Sequence, residues 1–240
     1  LANVIAKKKT GPEPSSTISN ITRQKILSWR DRYGWSPVKI EGHLRVHENI
    51  EISHRQIYYL LQKTKRNKSL GYVRRIKGRK RYERTHSMSL LHADWKDVHS
   101  EPMLTFMDDH SRFVNASDKF EDATAENSIK LFEFVIKRFE KPVQILTDRG
   151  TQFFSVKGGT SSFTQFCNDN GIKHILCSKS SPQANGKLEN FHGQYDAESW
   201  RFKTHSKYIH YWNYQRPHGG IGYKYPYEIF VTGIKTPTNS

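Results

Sequence analysis

The sequence predicts an α/β protein with a mixed five-stranded sheet flanked by helices, preceded by a small all-α domain. Three observations support this prediction. Short apolar runs alternate with helical periodicity from residue 86 onward, capping signals mark short helices within residues 20–62, and a densely basic run separates the two regions. The order strand-strand-strand-helix-strand-helix-strand-helix-helix indicates a mixed sheet rather than a doubly wound parallel one. A chain of 240 residues is long enough for one full α/β domain and a smaller module.

Three helices are expected in residues 20–62 from the chemistry of their ends. Gly34 is suited to end the first helix, and the Ser-Pro pair at residues 36–37 provides an N-cap followed by proline at the first helical position. Ser53 begins a capping box that Gln56 completes. Three short helices in this order are typical of a helix-turn-helix domain.

The third helix is predicted to contact DNA, because polar and aromatic side chains near its start can reach base edges and phosphates. The candidates for this contact are Arg55, Gln56, Tyr58 and Tyr59. The alternative is a plain three-helix bundle whose polar face is solvated. The basic segment that follows favours the DNA-binding interpretation.

The charge of the chain favours a polyanionic partner. Lys and Arg number 39 against 23 Asp and Glu, which gives a formal net charge of +16. Residues 63–85 are interpreted as a basic linker lying along DNA, and residues 1–19 as a flexible tail. The linker residues predicted to bind phosphates are Arg74, Arg75, Arg79 and Lys80. The alternatives are a solvated tether and, for the whole chain, a basic protein kept soluble by its charge.

Residues 86–235 are predicted to form the α/β domain. Three strands are expected in MSLLHADWKDV, PMLTFMDD and SRFVNASD, with residues 109–111 as a tight turn between the second and third. An amphipathic helix is expected from Ala125 to Phe139, because apolar residues recur at steps of three and four. VQILTD and IKHILC are the remaining strands, and residues 184–215 are expected to be largely helical.

Three carboxylates are the candidate catalytic residues. Asp94 lies inside a strand, Asp148 ends one, and Glu189 sits at the edge of a helical apolar stripe. Each has an ordinary structural explanation when taken alone. Together they provide the oxygen ligands that Mg²⁺ or Mn²⁺ prefers, and such ions catalyse in-line displacement at phosphorus. Asp108 and Asp109 compete for the role of the first carboxylate, but they lie where Asp commonly satisfies turn amides.

Three motifs in this order resemble the DDE transposases and integrases of insertion sequences and retroviruses. TDRGTQF at residues 147–153 resembles the motif of the second aspartate, and SPQANGKLE at residues 181–189 resembles the S-P-x-x-N-G-x-x-E motif. NYQRPH at residues 213–218, followed by Pro226 and Glu228, is similar to the closing segment of bacterial and archaeal members. The resemblance covers about residues 86 to 232.

The resemblance implies a ribonuclease H-like fold and a transposase activity. Asp94, Asp148 and Glu189 would hold two Mg²⁺ or Mn²⁺ ions. Water would cleave DNA at an element end, and the freed 3′ hydroxyl would attack target DNA. Asn185 and Lys187 would touch DNA near the metal ions, although Lys187 could equally be a surface lysine. A homo-oligomer on DNA is implied, since two element ends must be held together.

Two alternatives to an active transposase stay open at this stage. One is a DNA-binding remnant that has lost catalysis, and the other is a nuclease of the same fold acting on RNA–DNA hybrids or junctions. All three carboxylates are present, which favours activity over the remnant. The helix-turn-helix and the SPQANGKLE segment favour transposition over the plain nuclease.

The chain departs from the family pattern in two places. Asp148 and Glu189 have 40 residues between them, more than in many members, and the excess is assigned to a surface loop at residues 156–161. The retroviral zinc module is not expected, because neither cysteine is near the N-terminal helices. His43 and His47, four apart on a helix, are interpreted as surface histidines.

The composition also limits where in the cell the protein is expected and which kinds of partner it is expected to have. The two cysteines give no disulfide framework, and no segment resembles a membrane span or a signal peptide. We therefore expect a cytoplasmic, nucleoid-associated protein of a prokaryote. No membrane partner and no small-molecule substrate are expected.

Overall fold

The computed structural model describes residues 18–67, 84–156, 158–177 and 186–234. The chain divides into two compact units, residues 1–72 and residues 73–240, which are described separately here. The linker residues Arg74, Arg75, Arg79 and Lys80, and also Asn185, lie outside the described residues. The same holds for nearly all of the predicted tail at residues 1–19.

The first unit contains three helices: α1 (Asn20–Tyr33), α2 (Pro37–His47) and α3 (His54–Lys63). Their ends follow the predicted capping chemistry. Gly34 ends α1 in the left-handed conformation with φ 68°, and the Ser36 side chain accepts a hydrogen bond from the Lys39 amide at the start of α2. Ser53 and Gln56 form the predicted capping box at the start of α3.

The core of this unit contains a histidine that the sequence did not place there. Apolar side chains from all three helices are buried, among them Ile26, Leu44 and Ile57. The His43 ring packs against two indole rings, with its centroid 4.6 Å from that of Trp29 and 5.1 Å from that of Trp35. With 7% of its surface exposed, His43 is not the surface residue that was expected.

The second unit contains five strands and five helices among its described residues. The strands are β1 (Leu91–Val98), β2 (Glu101–Asp108), β3 (Val114–Lys119), β4 (Gln144–Thr147) and β5 (Lys173–Leu176). The helices are α4 (Ala125–Phe139), α5 (Ser162–Asp169), α6 (Gly186–Glu198), α7 (His205–Tyr214) and α8 (Pro226–Gly233). All five strands fall within the segments predicted for them, except that β2 begins one residue earlier and β3 ends one residue later.

The strands form one mixed sheet in the order β3-β2-β1-β4-β5. The pairs β1–β2 and β2–β3 are antiparallel, whereas β1–β4 and β4–β5 are parallel. This arrangement confirms the predicted fold class. The alternation of side chains along β1 then assigns its residues to two faces. Leu91 and Ala93 lie in the apolar core, in a cluster that also contains Phe132 of α4 and Phe230 of α8.

The opposite face of β1 is polar and carries the residues that contact α6. The Lys96 ammonium lies 2.9 Å from the Asp196 carboxylate of α6. The apolar side of α6 is buried through Leu188, Phe191 and Tyr195, as the sequence predicted. Nowhere in the described parts of the chain is there a helix long and apolar enough to cross a membrane.

Candidate active site

Asp94 lies on the polar face of β1, on the side where α6 packs. Its side chain is 17% exposed, and its Oδ2 is 3.8 Å from Nδ1 of His192 on α6. Burial, together with the nearby positive charge of Lys96, lowers the pKa of His192 to about 4. His192 is therefore neutral near pH 7 and faces Asp94 as a neutral ring rather than as a cation.

Asp148 follows the last residue of β4 and is exposed. The strand register brings it near Asp94, because Ala93 pairs with Thr147 in adjacent parallel strands. One carboxylate oxygen of Asp148 accepts a hydrogen bond of 3.0 Å from the Gly150 amide. A Cβ atom at position 150 would lie 3.1 Å from that oxygen and 2.5 Å from Oε1 of Gln152. Glycine at this position therefore allows the chain to turn tightly beside the carboxylate.

Glu189 lies in the first turn of α6 and is exposed. It follows directly after the buried Leu188, as the sequence predicted. The packing of α6 against β1 brings this turn to the part of the sheet where Asp94 lies, since His192 is only three residues further along the helix.

The charges of all three carboxylates act on one atom group, the thiol of Cys177. This residue directly follows β5, and its amide donates a 2.8 Å hydrogen bond to the carbonyl of Thr147. Burial raises the pKa of the Cys177 thiol to about 11, and the negative charges of Asp148, Asp94 and Glu189 contribute to the rise. Because such effects fade with distance, each of the three carboxylates lies near enough to the Cys177 thiol for its charge to act there.

The chemical type of these three side chains suits a hard divalent cation. Three carboxylates offer only oxygen ligands, which suit Mg²⁺ and Mn²⁺. Within the described ranges, however, no three His, Cys, Asp or Glu side chains are close enough together to hold one metal ion. As placed in this structure, the three carboxylates do not form a coordination sphere.

The competing carboxylates Asp108 and Asp109 are both engaged in structural contacts. Asp108 is buried, and its oxygens accept hydrogen bonds from the Met88 amide and from the amide and hydroxyl of Ser111. Burial raises the pKa of Asp108 above its usual value. These bonds satisfy the turn after β2, as expected for Asp at that position.

Asp109 binds two cationic or potentially cationic side chains. Its Oδ1 lies 2.8 Å from Nε2 of His92 and 2.7 Å from Nζ of Lys187, and its Oδ2 accepts a bond from the Arg84 amide. Burial opposes ionisation, but the hydrogen bonds from His92 and Lys187 outweigh it and lower the pKa of Asp109 well below its usual value. Asp109 is therefore ionised, and both of its carboxylate oxygens are bound by other groups of the protein.

The predicted DNA-binding residues differ in how accessible the structure leaves them. Arg55, Tyr58 and Tyr59 are exposed on α3, as a contact with DNA requires. The side-chain oxygen of Gln56 instead accepts hydrogen bonds from the amide and hydroxyl of Ser53. Lys187 is 17% exposed and is ion-paired to Asp109, so it is not the freely accessible surface lysine of the alternative interpretation.

Two residues in the NYQRPH segment have structural roles that the sequence does not reveal. The Asn213 side chain bonds both the amide and the carbonyl of Val114, which joins α7 to the edge strand β3. Arg216 is buried in a two-point ion pair with Glu198, at 2.8 and 2.9 Å. Both contacts tie the C-terminal segment to the domain. The segment was recognised as a motif, but no spacing signal identifies such distant partners.

Part of the chain matches a known protein family. The family described as integrase core domain matches residues 84–182. This stretch of the chain is therefore similar to an integrase core domain. The match includes Asp94 and Asp148 and ends before Glu189, which lies in the region identified by the S-P-x-x-N-G-x-x-E resemblance.

Relatives of known sequence and structure agree with this assignment. A protein described as an integrase, ORF3 of Spiroplasma virus SpV1-C74, is 27% identical over 154 residues, covering 57% of this chain. The matched part spans 40% of that relative's length. A chain of the simian T-cell lymphotropic virus intasome, solved with the PP2A regulatory subunit B56 gamma, has a TM-score of 0.53 at 13% identity, covering 83% of this chain and 76% of that one.

A further similar structure is the catalytic core domain of BIV integrase. Its TM-score is 0.46 at 20% identity, covering 60% of this chain and 95% of that one. The likeness to the intasome chain supports the fold described above.

Proposed function

We propose that this integrase core domain acts as a DNA transposase that cleaves element ends and transfers the resulting 3′ hydroxyl to target DNA. The observation that carries the proposal is the placement of three carboxylates on neighbouring elements: Asp94 on β1, Asp148 directly after β4, and Glu189 in the first turn of α6. The register of β1 and β4 supports a short separation between Asp94 and Asp148, and the contact of His192 with Asp94 supports the approach of α6. Carboxylate oxygens grouped in this way suit a hard divalent cation.

The three carboxylates would hold Mg²⁺ or Mn²⁺. When bound, such ions polarise phosphate oxygens and help to activate the attacking oxygen. The chain's own contribution is to fix the carboxylates: β1 fixes Asp94, the turn closed by the Gly150 amide fixes Asp148, and α6 fixes Glu189.

The proposed reaction consists of two displacements at phosphorus. Water attacks a phosphodiester at the element end, a P–O bond forms, and the bond to the 3′ oxygen breaks to release a 3′ hydroxyl. That hydroxyl then attacks a phosphodiester of target DNA, so that one P–O bond forms as another breaks. Because the second step exchanges like bonds, the same site must also catalyse its reverse on a branched DNA product.

The first unit would bind the element ends through α3, and an oligomer would hold two ends together. Exposed Arg55, Tyr58 and Tyr59 support the first part of this proposal. The second part is supported by the similarity to a chain of an intasome. The net charge of +16 favours DNA binding both by the first unit and by the oligomer, since each requires many phosphates to be neutralised.

The reverse reaction gives a test that needs no knowledge of the element sequence. The full chain is incubated with Mn²⁺ and a labelled branched duplex that mimics a joined product, and resolution of the branch is measured. We expect resolution by the wild-type chain and a loss of more than about 100-fold in Asp148→Asn, because a direct metal ligand should matter more than its supporting residues do.

The matched control is Asp169→Asn on α5, an exposed carboxylate that bonds only Gln165 among the contacts described for it. It should resolve the branch at the wild-type rate. Wild-type activity in Asp148→Asn would contradict the proposal. A gel shift without any resolution would indicate the DNA-binding remnant instead, and cleavage confined to RNA–DNA hybrids would indicate the nuclease.

A further inference from the structure

We propose that Asp109 and Lys187 are positioning residues that hold Glu189 at the active site through the first turn of α6. The inference deepens the proposed function and rests on the role that it gives to Glu189. Neither residue is argued to touch the reacting atoms. Their effect is exerted through the orientation of the helix.

The two side chains form a close and shielded ion pair. Nζ of Lys187 lies 2.7 Å from Oδ1 of Asp109 and 2.9 Å from its backbone carbonyl oxygen. The Asp109 side chain is 2% exposed and that of Lys187 is 17% exposed. Charge pairs screened from water interact more strongly than surface pairs, and losing one partner leaves the other charge buried. The pair can therefore fix the position of the Lys187 backbone.

Asp109 is itself held rigidly from three other directions. His92 of β1 lies 2.8 Å from the same carboxylate oxygen that Lys187 contacts. The second oxygen accepts a 2.9 Å bond from the Arg84 amide, and the Asp109 amide donates to the carbonyl of Leu90 at 3.0 Å. The carboxylate is thus anchored to the sheet, and Lys187 is anchored to the carboxylate.

Helix geometry transmits this anchor to Glu189. Successive helical residues are rotated by about 100°, so Lys187 and Glu189 project about 200° apart around α6. The buried Leu188 and Phe191 lie between them on the wheel. These apolar contacts decide which side of α6 faces the domain, but they leave it free to roll and tilt slightly. A fixed contact on the flank of Lys187 restricts those motions and so fixes the opposite flank, where Glu189 lies.

The competing explanation is that Lys187 contacts DNA directly. The Asp109→Asn variant distinguishes this explanation from a positioning role. Asp109 is 1% exposed and cannot touch DNA. If Lys187 acts by binding DNA, removing its ammonium weakens DNA binding, while Asp109→Asn leaves DNA affinity unchanged. If the pair acts by positioning, both variants impair the same step and neither alters DNA affinity.

The experiment compares Lys187→Met, Asp109→Asn and Lys187→Arg in the full chain. Hydrogen exchange measures the amides in the second turn of α6, which are hydrogen-bonded to carbonyls of the first turn, and calorimetry measures Mn²⁺ binding in the absence of DNA. Both are readouts that do not depend on catalysis. We expect faster exchange in that turn and Mn²⁺ affinity lowered about 10- to 100-fold in the first two variants, as for other residues that support metal ligands. Lys187→Arg keeps a cation at this position and should restore most of both properties.

The branch-resolution rate at saturating DNA should fall about 10- to 100-fold in Lys187→Met and Asp109→Asn, with DNA affinity changed less than about twofold. The matched control is Lys207→Met, an exposed lysine in the first turn of α7, which should behave as wild type in every measurement. Thermal unfolding reports whether Asp109→Asn folds. If it does not fold, Lys187→Met and Lys187→Arg decide the question.

Wild-type exchange and wild-type Mn²⁺ affinity in Lys187→Met would overturn the proposal. A weakened DNA affinity in Lys187→Met alone would also overturn it and assign the lysine to DNA. A wild-type chain that resolves no branched DNA, combined with faster exchange in Lys187→Met, would reject the proposed function while supporting the role of the ion pair in ordering α6.

Discussion

A histidine enclosed by indole rings makes the stability of the first unit depend on pH. Burial, followed by the charge of His47, lowers the pKa of His43 from 6.5 to about 4. The unfolded chain therefore binds a proton between these values, whereas the folded chain does not. The contribution of His43 to stability is therefore fully present above about pH 6.5 and is lost as the pH falls toward 4.

We predict that lowering the pH from 7 to 5 destabilises the wild-type unit by about 2 kcal/mol through His43 alone. His43→Phe fills a similar volume with a ring that does not titrate, so its pH dependence should be smaller by that amount. Urea unfolding followed by tryptophan fluorescence at the two pH values measures the difference, because Trp29 and Trp35 contact the ring. Equal pH dependence in the two proteins would reject this role of His43.

For single residues, the sequence predicted which kinds of side chain matter better than it predicted which residues those side chains contact. Asp94, Asp148 and Glu189 were selected because carboxylates in those positions need an explanation. His43 was misplaced because a four-residue spacing to His47 does not reveal the indoles of Trp29 and Trp35. The pairing of Asp109 with Lys187 was missed for a similar reason. It joins residues 78 apart, and a turn already gave Asp109 a sufficient local role.

Among the elements, those whose ends are set by local chemistry were predicted closely. The Ser53–Gln56 capping box and Gly34 both act within one helical turn, so their signals can be read from neighbouring residues. Helix α3 begins and ends close to its predicted limits for this reason. Strand order is different, because the pairing of β1 with β4 depends on contacts across the whole domain. Its mixed character was inferred only from the order of elements.

The proposed recognition of DNA bases by α3 leads to a testable prediction. Arg55→Gln should reduce the enrichment of a preferred sequence from a pool of random duplexes by about 10-fold, since one good base contact contributes about 1–3 kcal/mol of discrimination. Arg23→Gln on α1 is the matched control, an exposed arginine in a helix not expected to enter the groove. Both variants should resolve branched DNA normally. Equal enrichment by Arg55→Gln and wild type would place sequence recognition elsewhere.

In the molecule as a whole, the fold could be predicted, whereas the metal-binding arrangement could not. The motifs around Asp148 and Glu189 are local strings, and the integrase core match covers residues 84–182. How closely the carboxylates approach depends on the packing of α6 on β1, and the described residues leave no three donors within reach of one ion. We expect bound cations and DNA to draw the carboxylates together.

The most direct test of the account is whether Asp94, Asp148 and Glu189 act as one unit. Branch resolution in Mn²⁺ is measured for Asp94→Asn, Asp148→Asn, Glu189→Gln and the triple variant. Residues that act together are strongly non-additive, so each single variant should lose about as much activity as the triple variant. Near wild-type resolution by any one of the three single variants would contradict the claim that these carboxylates form a single catalytic site.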